Sequence, residues 1–419
     1  MQVTTLGPAR FASPQRGFVN ESDRVPEHIL HRAGAAPESG TLFELAGPRE
    51  KLFFDPARTR AGIVTCGGLC PGLNNVIRSL FLELHYGYGV PEVLGFRFGY
   101  RGLDPAAALE PIPLTSERVN DIHESGGTIL GTSRGKVDTD AAVDNLIRRK
   151  VDMLFCIGGD GTQRGALDLY EAAGKRGHAL AVVGVPKTID NDVPFVARTF
   201  GYLTAVEESR RVIAAAHCEA MSAPNGVGLI KLMGRHAGFI AAGATIASQD
   251  VNFCLVPEVP FTLEGPNGFL AALRQRVAAR GHAVVVVAEG AGQEWLGESG
   301  EKDASGNARL KDIGLFLRQQ IEACFAAERT PINFRYFDPS YQIRSRPTNC
   351  EDSILCDQFA RQAVHAAMAG RTGLVIGLMH GNFIHVPTRL IARANKRIEL
   401  DGILWRAVLA TTGQRERFA

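Results

Sequence analysis

A chain of 419 residues with 46 basic and 44 acidic side chains has a formal charge of only +2, which leaves no strong field for nucleic acid or a membrane surface. Its 45% hydrophobic and 21% charged content fits a soluble globular protein with core enough for two or three domains. The polar start Met1–Pro14 does not read as a secretion signal, and no apolar run approaches the ~20 residues of a membrane span. A cytoplasmic protein is expected. Its eight cysteines (Cys66, Cys70, Cys156, Cys218, Cys254, Cys324, Cys350 and Cys356) are scattered without a CxxC pair, as expected of free intracellular thiols. Cys66 and Cys70 have no second pair or histidine to complete a metal site.

Residues 1–60 hold proline and charge with little periodicity, and they read as an extension laid over the main body. From Ala61 the pattern is α/β. Gly62–Cys66 predicts a buried strand, Leu73–Tyr86 a helix and Val93–Phe96 another strand. A polar helix over 140–150 precedes the strand Met153–Ile157, and Gly165–Gly174 predicts a helix. Ala179–Val185 is the next strand and Val206–Ala216 the next helix. Gly226–Leu232, Asn252–Val256 and Ala283–Ala288 are apolar, β-branched runs suited to central parallel strands. Pro266–Arg280 and Ile313–Ala327 are helical in pattern.

Such alternation predicts doubly wound, Rossmann-like α/β architecture with binding loops at strand C-termini. The strands are too many for one sheet. Two such domains facing across an active-site cleft are therefore expected, one over 61–200 plus about 345–395 and one over 201–344 plus about 396–419. Asp303–Arg309 reads as an exposed turn and the tail after Ala410 as loosely held.

Three glycine-rich segments carry candidate chemistry. Gly67-Gly68-Leu69-Cys70-Pro71-Gly72 joins a strand to a helix. Glycine permits the left-handed torsions of such a turn and lets a phosphate reach backbone N–H groups. A tight βα turn without a ligand accounts for the same residues equally well. Gly158-Gly159-Asp160-Gly161-Thr162 repeats the placement and adds a carboxylate. Its amides suit phosphates, and Asp160 suits a Mg2+ bridging them. Gly161 leaves space beside the phosphates, and Gly165 would let a flat base lie against the helix. Other kinases, for NAD and for diacylglycerol, share this string, so alone it indicates only nucleotide phosphates. Gly131-Thr132-Ser133-Arg134-Gly135-Lys136 resembles a Walker loop, but its glycine spacing is one short and Val137 stands where Ser or Thr is required. Arg134 there suits the charge that develops on a transferring phosphoryl group.

The sharpest stretch is Val185-Pro186-Lys187-Thr188-Ile189-Asp190-Asn191-Asp192. Asp190 can accept a hydroxyl proton, Thr188 can bind the incoming phosphoryl, and Asp192 can hold metal or orient the acceptor. General-base help of this kind contributes ~10²–10⁴-fold. An acidic turn capping the next helix is the plainer alternative. The GGDGT string with the same topology tips the balance toward catalysis.

Gly67–Gly72, Gly131–Arg134, Gly158–Thr162, Thr188–Asp192 and Met233-Gly234-Arg235 together resemble the 6-phosphofructokinase family, in that family's order over roughly residues 60–395. The resemblance implies phosphoryl transfer to the 1-hydroxyl of fructose 6-phosphate, giving fructose 1,6-bisphosphate. It implies Asp190 as proton acceptor, working with Thr188, Lys187 and Arg235, and Asp160 as the Mg2+ ligand. Donor binding falls to Gly67, Arg134, Gly135, Gly158, Gly159, Asp160, Gly161, Thr162 and Gly165. On the sugar side it implies Thr188, Ile189, Asp190 and Asp192, the loop Met233, Gly234 and Arg235, and Glu289 for the sugar hydroxyls. Tyr341 and Arg344 match the 6-phosphate clamp, with tyrosine replacing the histidine of common bacterial members. Arg335 stands where a neighbouring subunit's arginine completes that clamp, which implies a homodimer or homotetramer, allosterically regulated. Glu289 as a helix cap and Arg344 as a solvated charge are the plainer readings. Common bacterial members carry glycine in place of Lys187 and an arginine about where Gly226 falls; Asn225 and Lys231 are candidate replacements for that arginine.

The donor turns on two positions. Lys187 resembles the pyrophosphate-dependent branch, but that branch has aspartate at position 161, which fills and opposes the space of an ATP α-phosphate. With Gly161 the block is absent, so ATP is the expected co-substrate, as in the atypical ATP-dependent subgroup. A pyrophosphate-dependent enzyme and a non-catalytic regulatory subunit are the alternatives, although a dead subunit would be expected to lose Asp190 or Asp160.

Overall fold

The computed structural model describes residues 3–30, 40–135, 137–297, 300, 309–391 and 395–419. Lys136 and most of the expected turn at Asp303–Arg309 lie outside them. The chain forms two compact units. The first holds Met1–Thr188, Val193–Gly201 and Ser345–Ala394, and the second Ile189–Asp192, Tyr202–Arg344 and Asn395–Ala419.

In chain order the main strands are β1 (Arg24–Pro26), β2 (Leu42–Leu45), β3 (Arg60–Thr65), β4 (Glu92–Phe96), β5 (Ile112–Pro113), β6 (Met153–Gly158) and β7 (Ala181–Pro186), followed in the second unit by β8 (Gly226–Leu232), β9 (Phe253–Leu255), β10 (His282–Ala288) and β11 (Asn333–Phe337). The chain then returns to the first unit with β12 (Leu374–Met379) and β13 (Asn382–Pro387). The longer helices are α1 (Leu73–Leu82), α2 (Thr139–Arg148), α3 (Asp160–Lys175), α4 (Tyr202–Met221), α5 (Phe239–Ser248), α6 (Phe269–Arg280), α7 (Ile313–Ala327), α8 (Cys350–Met368) and α9 (Ile403–Thr412).

The first unit is built on a sheet of order β1-β2-β13-β12-β7-β6-β3-β4-β5. Its centre, β12-β7-β6-β3-β4, is parallel, and the flanking pairs are antiparallel. β6 and β7 are buried along their whole length, as befits parallel strands covered on both faces. Val64, Phe96, Leu154 and Cys156 share one core with Val143 and Leu146 of α2 and with Ala166 and Leu169 of α3, while α8 packs against β7 and α1.

The second unit carries a four-stranded parallel sheet of order β9-β10-β8-β11. Its strands show why runs of valine serve such a sheet. Along β10, Val284, Val286 and Ala288 join the core under α4, α5 and α9, whereas Ala283, Val285 and Val287 join the core under α6 and α7. Every residue of the run is thus buried, each valine contributing roughly 1.5–3 kcal/mol.

Three expectations change. The N-terminal segment is not only laid over the body: β1 and β2 extend the sheet, with β2 pairing to β13. The anchor is polar, since buried Glu44 accepts from Arg49 (3.0 Å) and Arg371 (3.1 Å) and lies 3.1 Å from His385 Nδ1. The C-terminal tail is held as well. Gln414 accepts from Cys254 N at 2.7 Å and donates to Cys254 O at 3.2 Å, closing the open edge of β9 with an amide in place of a strand. Phe418 is buried, its ring 5.9 Å from those of Phe253 and Phe269. Finally, α3 starts at Asp160 rather than at Gly165, so the GGDGT string is a helix N-terminus and not a free turn.

Candidate active site

In the first unit the strand ends bring the glycine segments together around Lys187. After β3, Cys66 N donates to Ile157 O at 2.9 Å, which sets the first glycine turn beside the end of β6. Gly67 follows with φ +87°, a left-handed torsion that favours glycine. After β7, Lys187 N donates to Gly158 O (3.0 Å), and the Lys187 ammonium donates to Gly68 O (2.6 Å). A Cβ on Gly67 would stand 3.2 Å from that ammonium nitrogen. Lys187 is buried, so its charge is held at the junction of the two glycine turns. Thr188 O accepts from Thr199 Oγ1 at 2.7 Å.

The Gly131–Arg134 stretch is tied to the same turn. Gly67 N donates to Ser133 O (3.1 Å), Thr132 Oγ1 donates to Gly67 O (2.7 Å), and Thr65 Oγ1 donates to Gly131 O (2.7 Å). Arg134 and Gly135 are exposed beyond this braced segment.

At the start of α3, Gly159 is the N-cap and Asp160 the first helical residue. The N–H groups of a helix's first turn favour anions, so this end offers donors to a phosphate. A side chain on Gly158 would overlap Thr162, so that glycine is demanded by packing. Gly161 differs, since an added Cβ there meets nothing within 4 Å. Packing by itself accounts for glycine at position 165. A Cβ there would lie 2.5 Å from the ring of Tyr100, whose hydroxyl donates to Thr162 O at 2.5 Å. The glycine makes room for a buried tyrosine that braces the helix start.

In the second unit, β8 runs into Met233, Gly234 and Arg235. Gly234 has φ +127°, and its carbonyl accepts from Gly290 N at 3.0 Å. Glu289 N donates to Leu232 O at 2.9 Å, so Glu289 leaves β10 alongside this loop. A side chain on Gly290 would overlap the Arg235 carbonyl. Burial pushes the Glu289 carboxyl up, while the charges of Lys231, Arg235 and Arg344 draw it back down. Three sequence-derived candidates, Glu289, Arg235 and Arg344, are therefore electrostatic neighbours. Arg344 lies over the ring of exposed Tyr341, 4.3 Å from its centre. Arg335 points elsewhere, facing Glu219 at 3.4 Å from β11.

Neither expected replacement for the arginine at position 226 stands ready. Lys231 is bound between Asp312 (2.6 Å) and Asp338 (2.9 Å), and Asn225 donates its amide to Pro331 O (3.0 Å). A side chain on Gly226 would overlap Ala220 O, so close helix–strand packing accounts for glycine there.

The second unit also holds Ile189, Asp190, Asn191 and Asp192. Asn191 is buried with φ +57°, a torsion asparagine tolerates better than most residues. Sequence reasoning missed the residue that meets it. Lys396 donates its ammonium to Asn191 Oδ1 (3.2 Å) and its backbone N–H to Asp192 O (2.7 Å). No motif marks that lysine, which lies about 200 residues away in sequence.

The fold and these strand-end turns define a doubly wound α/β protein of the kind that binds phosphate groups at the C-termini of its strands. Residues 60–367 match the family described as Phosphofructokinase. The chain belongs to the phosphofructokinase family. It is 47% identical to ATP-dependent 6-phosphofructokinase 7 of Arabidopsis thaliana, covering 95% of this chain and 81% of that relative. It is 46% identical to the ATP-dependent 6-phosphofructokinase of Borreliella burgdorferi (95% and 91% covered) and 48% identical to that of Trypanosoma brucei brucei (97% and 84%). The crystal structure of a pyrophosphate-dependent phosphofructokinase from Marinobacter aquaeolei shares the fold, with a TM-score of 0.69 at 20% identity, covering 86% of this chain and 93% of that one. Among the described residues no helix is long and apolar enough to cross a membrane.

Proposed function

We propose that this protein transfers the γ-phosphoryl group of ATP to the 1-hydroxyl of fructose 6-phosphate, giving fructose 1,6-bisphosphate and ADP. The observation that carries the reading is the placement of Lys187, whose buried ammonium sits where the Gly67–Gly68 and Gly158–Gly159 turns meet. The ATP-dependent relatives at 46–48% identity support the same activity.

The first unit supplies the donor side. The N–H groups of the Gly67 turn and of the α3 N-terminus receive phosphate oxygens, and exposed Arg134 reaches them from the braced segment. Asp160 is a half-exposed carboxylate at that helix start, beside the open space at Gly161. That setting fits Mg2+, which binds through one or two carboxylates plus substrate phosphates; among the described residues no three-ligand protein cage competes with it. A Mg2+ on Asp160 would screen the donor's charge. The second unit supplies the acceptor side, with Asp190 as proton acceptor, Asp192 orienting the sugar, and Arg235, Glu289, Tyr341 and Arg344 binding it. Transfer is in line: Asp190 takes the 1-hydroxyl proton while Lys187, Arg134 and Thr188 meet the charge on the moving phosphoryl group. Arg335 faces Glu219 in its own chain; by the family resemblance it serves a neighbouring protomer's sugar site in a homodimer or homotetramer, and the cytoplasm is the proposed location.

ATP is preferred because Gly161 leaves its side-chain space empty. Lys187 is compatible with a second reading, pyrophosphate as donor, since a cation at this junction serves any phosphate. A coupled assay of fructose 1,6-bisphosphate formation with MgATP and with Mg-pyrophosphate, at saturating fructose 6-phosphate, separates them. Faster turnover with ATP is expected. Faster turnover with pyrophosphate overturns the donor assignment, and none with either overturns the activity.

A further inference from the structure

We infer that Lys396 is a positioning residue for the Asp190–Asp192 loop, holding the proton-accepting aspartate from the far end of the chain. The inference rests on the role proposed for Asp190. Lys396 grips the loop twice, through its main chain at Asp192 O (2.7 Å) and its ammonium at Asn191 Oδ1 (3.2 Å). Asn191 is the residue that needs holding. It is buried, stands in sequence between the two aspartates, and turns the loop through a left-handed φ of +57°, so a contact on its side chain bears on both carboxylates.

The same lysine reaches the helix that follows the other acceptor-side loop. Its ammonium lies 5.1 Å from the ring centre of Phe239, the first residue of α5, which follows the Met233–Arg235 loop. Two residues on, Ile398 N donates to Glu258 (3.0 Å), and Glu258 also accepts from Gly238 N, the cap of α5, at 3.1 Å. Residues 396–398 thus strap the aspartate loop to the start of α5. Burial lowers the Lys396 ammonium to about 8, with Asp192 opposing. A methionine of similar length would fill this space without that electrostatic burden, so packing alone does not account for a cation here. A general base displaced by about 1 Å loses on the order of 10²-fold in rate.

The test is Lys396→Met beside Lys396→Arg in the full-length enzyme, with MgATP and fructose 6-phosphate. Lys396→Met is expected to lower kcat about tenfold or more, as misplacement of a catalytic group does. The KM for MgATP stays within about threefold, because the proposed donor contacts lie on other segments. Lys396→Arg restores part of the rate, and amide exchange of the 188–193 peptide quickens in the methionine variant only. Unchanged kcat and unchanged exchange in Lys396→Met overturn the inference while leaving the proposed activity standing. Equal losses in both variants, matched by equal falls in unfolding temperature, overturn it in favour of a purely structural lysine. Quickened exchange in Lys396→Met, in an enzyme inactive with either donor, upholds the positioning and removes the functional reading instead.

Discussion

In the proposed mechanism Asp190 serves as base and Gly161 selects the donor, and each role is open to a single-residue test. Asp190 belongs to the loop that Asn191 and Lys396 hold in place. Removing its carboxylate leaves the proposed sugar ligands Arg235, Glu289 and Arg344 in place. Asp190→Ala is therefore expected to lower kcat by about 10²–10⁴-fold with little change in the KM for fructose 6-phosphate. Turnover near that of the parent enzyme would remove Asp190 from the mechanism. Gly161→Asp tests the donor. An added Cβ meets nothing within 4 Å there and acid in the first turn suits the helix dipole, so the variant is expected to fold, which its unfolding temperature checks. Any loss is then a donor effect: the KM for ATP should rise at least tenfold, while unchanged ATP kinetics would show that position 161 does not select the donor.

At the scale of elements, what was legible and what was not follow one physical line. β6, β7, β8 and β10 were readable because parallel central strands are apolar throughout and glycine punctuates their ends. The start of α3 was misread because two glycines flank Asp160, and glycine ordinarily argues against helix. β2 escaped because its buried Glu44 reads as a surface charge; the nearby guanidinium of Arg49, with that of Arg371 and the His385 ring brought from distant sequence, makes it a core residue. Lys396 was invisible for the same reason. The C-terminal tail reads as loose in sequence, yet Phe418 packs against both Phe253 and Phe269. Phe418→Ala should destabilise the protein by about 3 kcal/mol through the cavity it leaves. Urea denaturation measures it, and a change below roughly 0.5 kcal/mol, the scale of a surface substitution, would return the tail to the loose state read from sequence.

For the molecule as a whole, buried histidines that fold uncharged are expected to set the acid stability limit. His365 lies inside the first unit with Nδ1 2.8 Å from the Tyr88 hydroxyl. Burial, reinforced by the Arg361 guanidinium, lowers its pKa to about 4. Glu83, 3.9 Å away, is therefore not its ion-pair partner at neutral pH. In the unfolded chain the ring titrates near ~6.5. Between these two values the unfolded state binds the extra proton, so stability is full above pH ~6.5 and falls as pH drops toward 4. The whole span amounts to on the order of 3 kcal/mol. His385, lowered chiefly by its burial, acts with the same sign. Glu44 acts further down. Burial alone would raise its carboxyl, but His385, Arg371 and Arg49 together hold it well below the usual carboxylate range. Its contribution is present above pH ~4.3 and is lost as pH falls below that. His365→Gln keeps a polar group for Tyr88 and removes the titration. The difference in unfolding free energy between pH 7 and pH 4.5 should then shrink by about 2 kcal/mol. Parallel pH profiles in parent and variant would assign the acid limit to other groups.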